Sequence, residues 1–234
     1  MIAKLAWMYF KNRKAAGVKL AERLAKYRDD TAVIMALSEG GVVVGRTMAD
    51  KLNLPLTMLL SRDINLPNDT SVLGTVDQTG GFVYNSMFSV GQLEEYVTEY
   101  HNYMETEKIH RVSELNHILA RHGLTDRHAF KDHVVILVSD GVKNGAAFDS
   151  AINYLKPIRL KRLVVASPVA SIEAIDRMHI IADELHVVGV TPEYLETDHY
   201  YDDNKLPESN KILEKLDDWG GDQPVADKPK RTYT

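Results

Sequence analysis

The stretch His133–Ala147, HVVILVSDGVKNGAA, decides how the rest of the chain is read. Val134 to Val138 is an apolar, mostly β-branched run of strand length. It stops at Ser139, Asp140 and Gly141, and Gly145 then opens a helical pattern. Strand, polar glycine turn and helix start, in that order, bring loop amides and the positive end of a helix dipole together where an anion can sit. The plainer reading is a tight strand-to-helix turn whose glycines take positive φ. In that reading Asp140 is a helix-capping carboxylate and Lys143 a solvated loop lysine.

Working outward, the same grammar recurs near the start of the chain. Thr31 to Leu37 (TAVIMAL) reads as a strand covered on both faces. Ser38, Glu39, Gly40 and Gly41 break it, with a helix to about Leu52. Asn12 caps an earlier helix carrying Ala16, Leu20, Ala21 and Leu24 at helical spacing. Further strands are expected at Leu54–Leu60, at Leu163–Ala166 with Pro168 after it, and at Glu184–Val190. Helices are expected from Gly145 to about Leu155 and over Ile172–Ile181. Strands alternating with helices predict a doubly wound, mostly parallel α/β sheet flanked by helices. Ligands in such sheets bind beyond the carboxyl ends of the strands, where both glycine breaks fall.

One domain over residues 1–218 is expected. Within it, 61–89 is rich in Asp, Asn, Pro and Gly and reads as a flexible flap, with short strands at Val72–Val76 and Gly81–Tyr84. Residues 92–122 read as one long helical segment ending at Gly123. Its tyrosines Tyr96, Tyr100 and Tyr103 suit core or interface packing. Residues 191–218 read as a small C-terminal hood with one short helix, and 219–234 as a disordered tail.

The 234 residues include 44% hydrophobic and 26% charged residues with a net charge of −5, an ordinary soluble composition. A broad basic face for nucleic acid is not implied, and no apolar run reaches membrane-spanning length. The N-terminal apolar patch is too short for a secretory segment. Without cysteine there is no thiolate nucleophile and no disulfide framework, which fits a cytoplasmic location. The nine histidines lack zinc-site spacing, and no residue is assigned as a metal ligand.

Taken in order, these features resemble the type I phosphoribosyltransferases over about Phe10 to Leu216. The resemblance runs through Phe10, Asn12, Arg13, Ala16 and Gly17, then Ala36 to Val42. It continues through Arg62-Asp63-Ile64, Gly74-Thr75-Val76, the signature Val135–Ala147, Val164 to Ala170, Ala182-Asp183-Glu184 and Tyr200-Tyr201-Asp202. It implies a glycosyltransferase of nucleotide metabolism that moves phosphoribosyl from phosphoribosyl pyrophosphate to a nucleobase-like acceptor. Mg2+ would be the cofactor if the chain is active. Asp140 would be catalytic. Ser139, Gly141, Val142, Lys143, Asn144, Gly145, Ala146 and Ala147 would bind phosphate and ribose, and Ser38, Glu39, Gly40, Gly41 and Arg62 the pyrophosphate. The implied partners are phosphoribosyl pyrophosphate or a nucleoside monophosphate, and a homodimer, as is common among relatives.

The sequence departs from the family pattern at several of these positions. Ser139 replaces the first of two acids, Asn144 and Ala147 stand where hydroxyls are usual, and Glu39 and Asp63 stand where cations are common. A unit charge pair about 4 Å apart at an effective dielectric of 20 is worth roughly 4 kcal/mol, so each such reversal matters unless magnesium bridges it. Glu39 and Asp63 also read simply as solvated loop acids, and Arg62 as a surface ion pair. The alternative function is therefore a non-catalytic nucleotide- or phosphosugar-binding, regulatory or assembly protein on the same fold.

Overall fold

A computed structural model describes residues 9–69, 71–85, 87–122 and 127–216. In chain order the elements are α1 (Arg13–Arg23), β1 (Ala32–Ala36), α2 (Glu39–Leu52), β2 (Leu56–Met58), β3 (Ser61–Asn65), β4 (Val72–Asp77), β5 (Phe82–Tyr84), α3 (Val90–Glu99), α4 (His101–His122), β6 (Val134–Val138), α5 (Ala146–Leu155), β7 (Arg162–Ser171), α6 (Ile172–Ile181), β8 (Glu184–Thr191) and α7 (Ser209–Leu213). Five strands form one sheet in the order β2-β1-β6-β7-β8, and every pairing in it is parallel. The doubly wound α/β expectation is met.

Alternation along each strand builds two cores. Ala32, Ile34 and Ala36 of β1, with Val134, Ile136 and Val138 of β6, bury against Leu20 of α1, Leu24 just after it, and Val44, Met48 and Leu52 of α2. The intervening Val33, Met35, Val135 and Leu137 bury against Phe148, Ala151 and Leu155 of α5 and Ala174 and Met178 of α6. A strand apolar at every position is what a sheet covered on both faces requires. Asn12 caps α1 as its spacing predicts, its side chain accepting the Ala15 amide at 2.9 Å.

Three expectations are corrected. Strand β7 does not stop before Pro168 but continues to Ser171. Its pairing to β6 ends at Ala166, so the missing proline N–H falls where that neighbour has already turned away. The expected strand Leu54–Leu60 shortens to Leu56–Met58. The long helical segment 92–122 is two helices, interrupted at Tyr100, because its apolar residues serve two different surfaces. Leu93, Tyr96, Val97 and Tyr100 pack with Leu66 and Leu73, whereas Val112, Leu115 and Ile118 pack with Leu60, Val76 and Leu213. Tyr96 and Tyr100 are half-buried in the first of these clusters.

The short strands expected at Val72–Val76 and Gly81–Tyr84 are present as β4 and β5. Strands β3, β4 and β5 form their own antiparallel sheet, held against α4 and α5. Its turn is fixed by buried Asp77, which accepts the Thr79 and Gly81 amides and the Thr79 hydroxyl. Segment 191–216 carries a 3₁₀ turn, Thr197–Tyr200, and α7. Gly123 and the tail 219–234 lie outside the described residues. No helix among the described residues is long and apolar enough to cross a membrane.

Candidate functional site

In the strand order 2-1-6-7-8 the connection reverses between β1 and β6, and the crevice beyond their carboxyl ends is the expected ligand position. Ser38–Gly41 and Ser139–Ala147 both leave the sheet there. The structure brings these two predicted segments together, but it gives them different shapes.

After β1 there is no free loop. Ser38 is the N-cap of α2, its hydroxyl accepting the Gly41 amide at 2.9 Å, and Glu39, Gly40 and Gly41 form the first helical turn. The helix expected after this break begins at once, on the glycines themselves. The glycine at 40 admits a close neighbour: a Cβ built there would lie 1.8 Å from Asp140 Oδ2. The carboxylate of Asp140 therefore rests on the N-terminal turn of α2, where the helix dipole favours negative charge. Ser38 Oγ donates to Asp140 Oδ1 at 2.8 Å and Arg13 Nε to Oδ2 at 2.8 Å. Asp140 thus lies against the start of a helix, but not of the one that follows it.

After β6 the turn stays open. Gly145 is left-handed (φ 76°) and α5 begins with no side-chain cap bond. Three successive carbonyls are tied to the β7–α6 side: Val142 O accepts the Ser171 amide at 2.9 Å, Lys143 O accepts Ser171 Oγ at 2.6 Å, and Asn144 O accepts Arg177 Nη1 at 3.1 Å. In a trans peptide the N–H points opposite to the preceding carbonyl. The amides of Lys143, Asn144 and Gly145 are therefore turned away from that side. Among the described residues these three, and the Ala147 amide, have no intramolecular acceptor. The Ala146 amide is bonded to Asn144 Oδ1 at 3.2 Å.

Of the other predicted residues, Ser139 folds back within the turn, its hydroxyl donating to Gly141 O at 2.9 Å. Val142 is buried and bridges to β7. Lys143 is exposed at the mouth and Glu39 half-buried. Arg62 donates to its neighbour Ser61 O at 3.1 Å and lies in the field of Glu114 on α4. Among the described residues no hydrogen bond or ion pair joins it to Ser38–Gly41. Asp63 is exposed on β3 and accepts Thr75 Oγ1 at 2.8 Å.

Sequence reasoning missed Ser171 and Arg177, which shape the turn, and Arg13, which holds Asp140. Arg177 also pairs with Asp149 in the first turn of α5, and burial lowers its pKa. Nothing in local spacing marks residues 28 or more positions away as its partners. Hood residues Tyr194 and Thr197 cover Gly141, and burial pushes the Tyr194 and Tyr201 phenols well above their ordinary range.

The fold and the two turns define a doubly wound protein with its ligand positions at the switch between β1 and β6. No family model matches the chain. Two curated relatives, each called "putative phosphoribosyl transferase", come from two strains of Mycobacterium tuberculosis. Each is 26% identical over 178 residues, which are 75% of this chain and 39% of the relative. The chain thus spans about two-fifths of their length. The crystal structure of TT1426 from Thermus thermophilus is 30% identical, with a TM-score of 0.71, covering 91% of this chain and 100% of that one. With the ordered signature and the sheet order, these relatives support placing the chain in the type I phosphoribosyltransferase family.

Proposed function

We propose that the chain binds the 5′-phosphate of a phosphorylated ribose on the amides of Lys143, Asn144, Gly145 and Ala147, and transfers phosphoribosyl from phosphoribosyl pyrophosphate to a nucleobase-like acceptor. The observation that carries this reading is the set of carbonyls tied back by Ser171 and Arg177, which leaves a row of outward amides at a helix N-terminus. Lys143 adds a cation at the mouth. Such a row is an anion site by geometry and dipole together.

In the transfer, the bond from ribose C1 to the pyrophosphate oxygen breaks and a bond from C1 to an acceptor nitrogen forms. Pyrophosphate leaves with the bonding pair and takes up the proton that the acceptor nitrogen gives up. Positive charge develops on the sugar, and the Asp140 carboxylate is the anion next to it. Although Arg13 and Ser38 each hold one oxygen, a carboxylate has about four acceptor positions, so ribose hydroxyls can still be met.

The family implies Mg2+. Among the described residues no group of three or more metal-ligating side chains gathers. Magnesium needs only one or two carboxylates when substrate phosphates complete its shell. Glu39, half-buried at the start of α2, is the carboxylate that would hold it. The ion would neutralise pyrophosphate charge against Glu39.

Titration calorimetry with phosphoribosyl pyrophosphate, with and without Mg2+, and with ribose 5-phosphate tests the binding; pyrophosphate release across common bases tests the transfer. Magnesium-dependent binding with release is expected. Binding without release would replace transfer by sugar-phosphate binding alone, and no binding of any phosphosugar would overturn the reading.

A further inference from the structure

Arg13 lies at the first position of α1, far in sequence from everything it touches. It is only 4% exposed, yet its side chain meets three polar partners. Nε donates to Asp140 Oδ2 at 2.8 Å, Nη2 to Asp198 Oδ1 at 2.6 Å and Nη1 to the carbonyl of Asn204 at 2.8 Å. The guanidinium also stacks over the Tyr201 ring, 4.6 Å from its centroid. The Tyr201 hydroxyl in turn donates to the backbone carbonyl of Asp140 at 2.5 Å. Burial works against the charge, but the pairs with Asp198 and Asp140 outweigh it and hold the Arg13 pKa above its ordinary value.

The physical meaning lies in the fork. A lysine is a point charge, whereas a guanidinium fixes direction by its planar array of donors. Here the plane is set by the hood (Asp198, Asn204, Tyr201), and its remaining edge sets the Asp140 carboxylate. Ser38 pins the other oxygen, so rotation of the carboxylate is stopped from both sides. The main chain at Asp140 is held by the same hood through Tyr201.

From this geometry we infer that Arg13 is the positioning residue for Asp140: it aims the carboxylate at the ribose hydroxyls and makes that aim depend on the hood being in place. This rests on the phosphosugar reading above. Arg13 touches neither substrate nor reacting atoms; it acts through Asp140. A residue that only held the fold together would alter stability without altering which sugar is preferred.

The test compares ribose 5-phosphate with 2-deoxyribose 5-phosphate by calorimetry on the full chain, wild type and variants. The wild type should prefer ribose by about tenfold or more, which is what one hydrogen bond to a charged acceptor is worth. In Arg13→Gln that preference should vanish while affinity for the deoxy sugar stays within about twofold, because the amides that hold the phosphate are untouched. Arg13→Lys should restore less than the full preference, because a point charge cannot serve the hood and Asp140 together. Asp198→Asn alters only the exposed end of the fork, so it should fold even if Arg13→Gln does not, and should reduce the preference partway. A preference intact in Arg13→Gln, or, where that variant fails to fold, intact in Asp198→Asn, overturns the role of Arg13 alone. Failure of the wild type to bind either sugar overturns the phosphosugar reading and the role of Arg13 with it.

Discussion

Two helices begin at neighbouring strand ends, and their N-termini are completed in opposite ways. α2 starts on the Ser38 cap with the Asp140 carboxylate lying against Gly40. α5 starts on left-handed Gly145 with no cap, its preceding carbonyls drawn back by Ser171 and Arg177. An α-helix N-terminus favours one anion nearby. The first already has an internal one, and the second has its amides turned outward. A phosphate arriving at the cleft therefore meets two sites that the sequence makes look alike and the structure makes unequal.

The largest effect that would break this comparison is expected at Gly40. In Gly40→Ala the new methyl would occupy the place of the Asp140 carboxylate and force it off Arg13. Breaking a buried ion pair while overpacking its site should cost about 3–5 kcal/mol, read by urea denaturation. A cost below about 1 kcal/mol would mean that the carboxylate does not depend on that contact. Next comes Gly145→Ala, which places a side chain at positive φ for about 1–2 kcal/mol. It should weaken ribose 5-phosphate binding while leaving the Arg13–Asp140 pair intact.

Two serines sharpen the contrast. Both cap helices, Ser38 on α2 and Ser171 on α6, and loss of either cap should cost about 1 kcal/mol. Only Ser171 also restrains a carbonyl of the α5 turn. With 2-deoxyribose 5-phosphate as ligand, Ser171→Ala should therefore weaken binding severalfold, whereas Ser38→Ala, which loosens only the carboxylate facing the ribose hydroxyls, should leave it nearly unchanged in the same calorimeter. Equal losses of affinity would erase the distinction between the two turns.

The smallest effect serves as a control at the opposite end of the sheet. Burial opposes the charge of Glu184, but Lys26, His186, Tyr27 and Arg162 together hold its pKa down to about 2. A carboxylate lowered on folding contributes stability above its unfolded pKa near 4.5 and loses it as pH falls toward that folded value. Glu184→Gln should remove that part of the acid dependence of unfolding, followed by circular dichroism, without changing ligand affinity.

The strands of the main sheet were legible because a run such as Val134–Val138 has only one stable home, covered on both faces. The glycine turn was legible too, since Gly145 needs positive φ. Its polarity was not: Ser171 at the end of β7 and Arg177 on α6 carry no mark of this role until tertiary contact directs them at Lys143 and Asn144. The split at Tyr100 was hidden because Leu93, Tyr96 and Val97 keep helical spacing with the residues that follow, while the surfaces that separate them lie in β4 and α7. Arg13 was quoted only as part of an ordered resemblance, and its partners are 127 to 191 positions away.

The bridge between Phe10 and Tyr201 sets a timetable for synthesis. On a ribosome the nascent chain can complete the sheet before Asn204 emerges, yet Asp140 has its full set of restraints only once that segment has returned to Arg13. A product ending before residue 197 would keep β8 paired to β7 but would lack Asp198, Tyr201 and Asn204, and with them the hold on Arg13 and the acid it steadies.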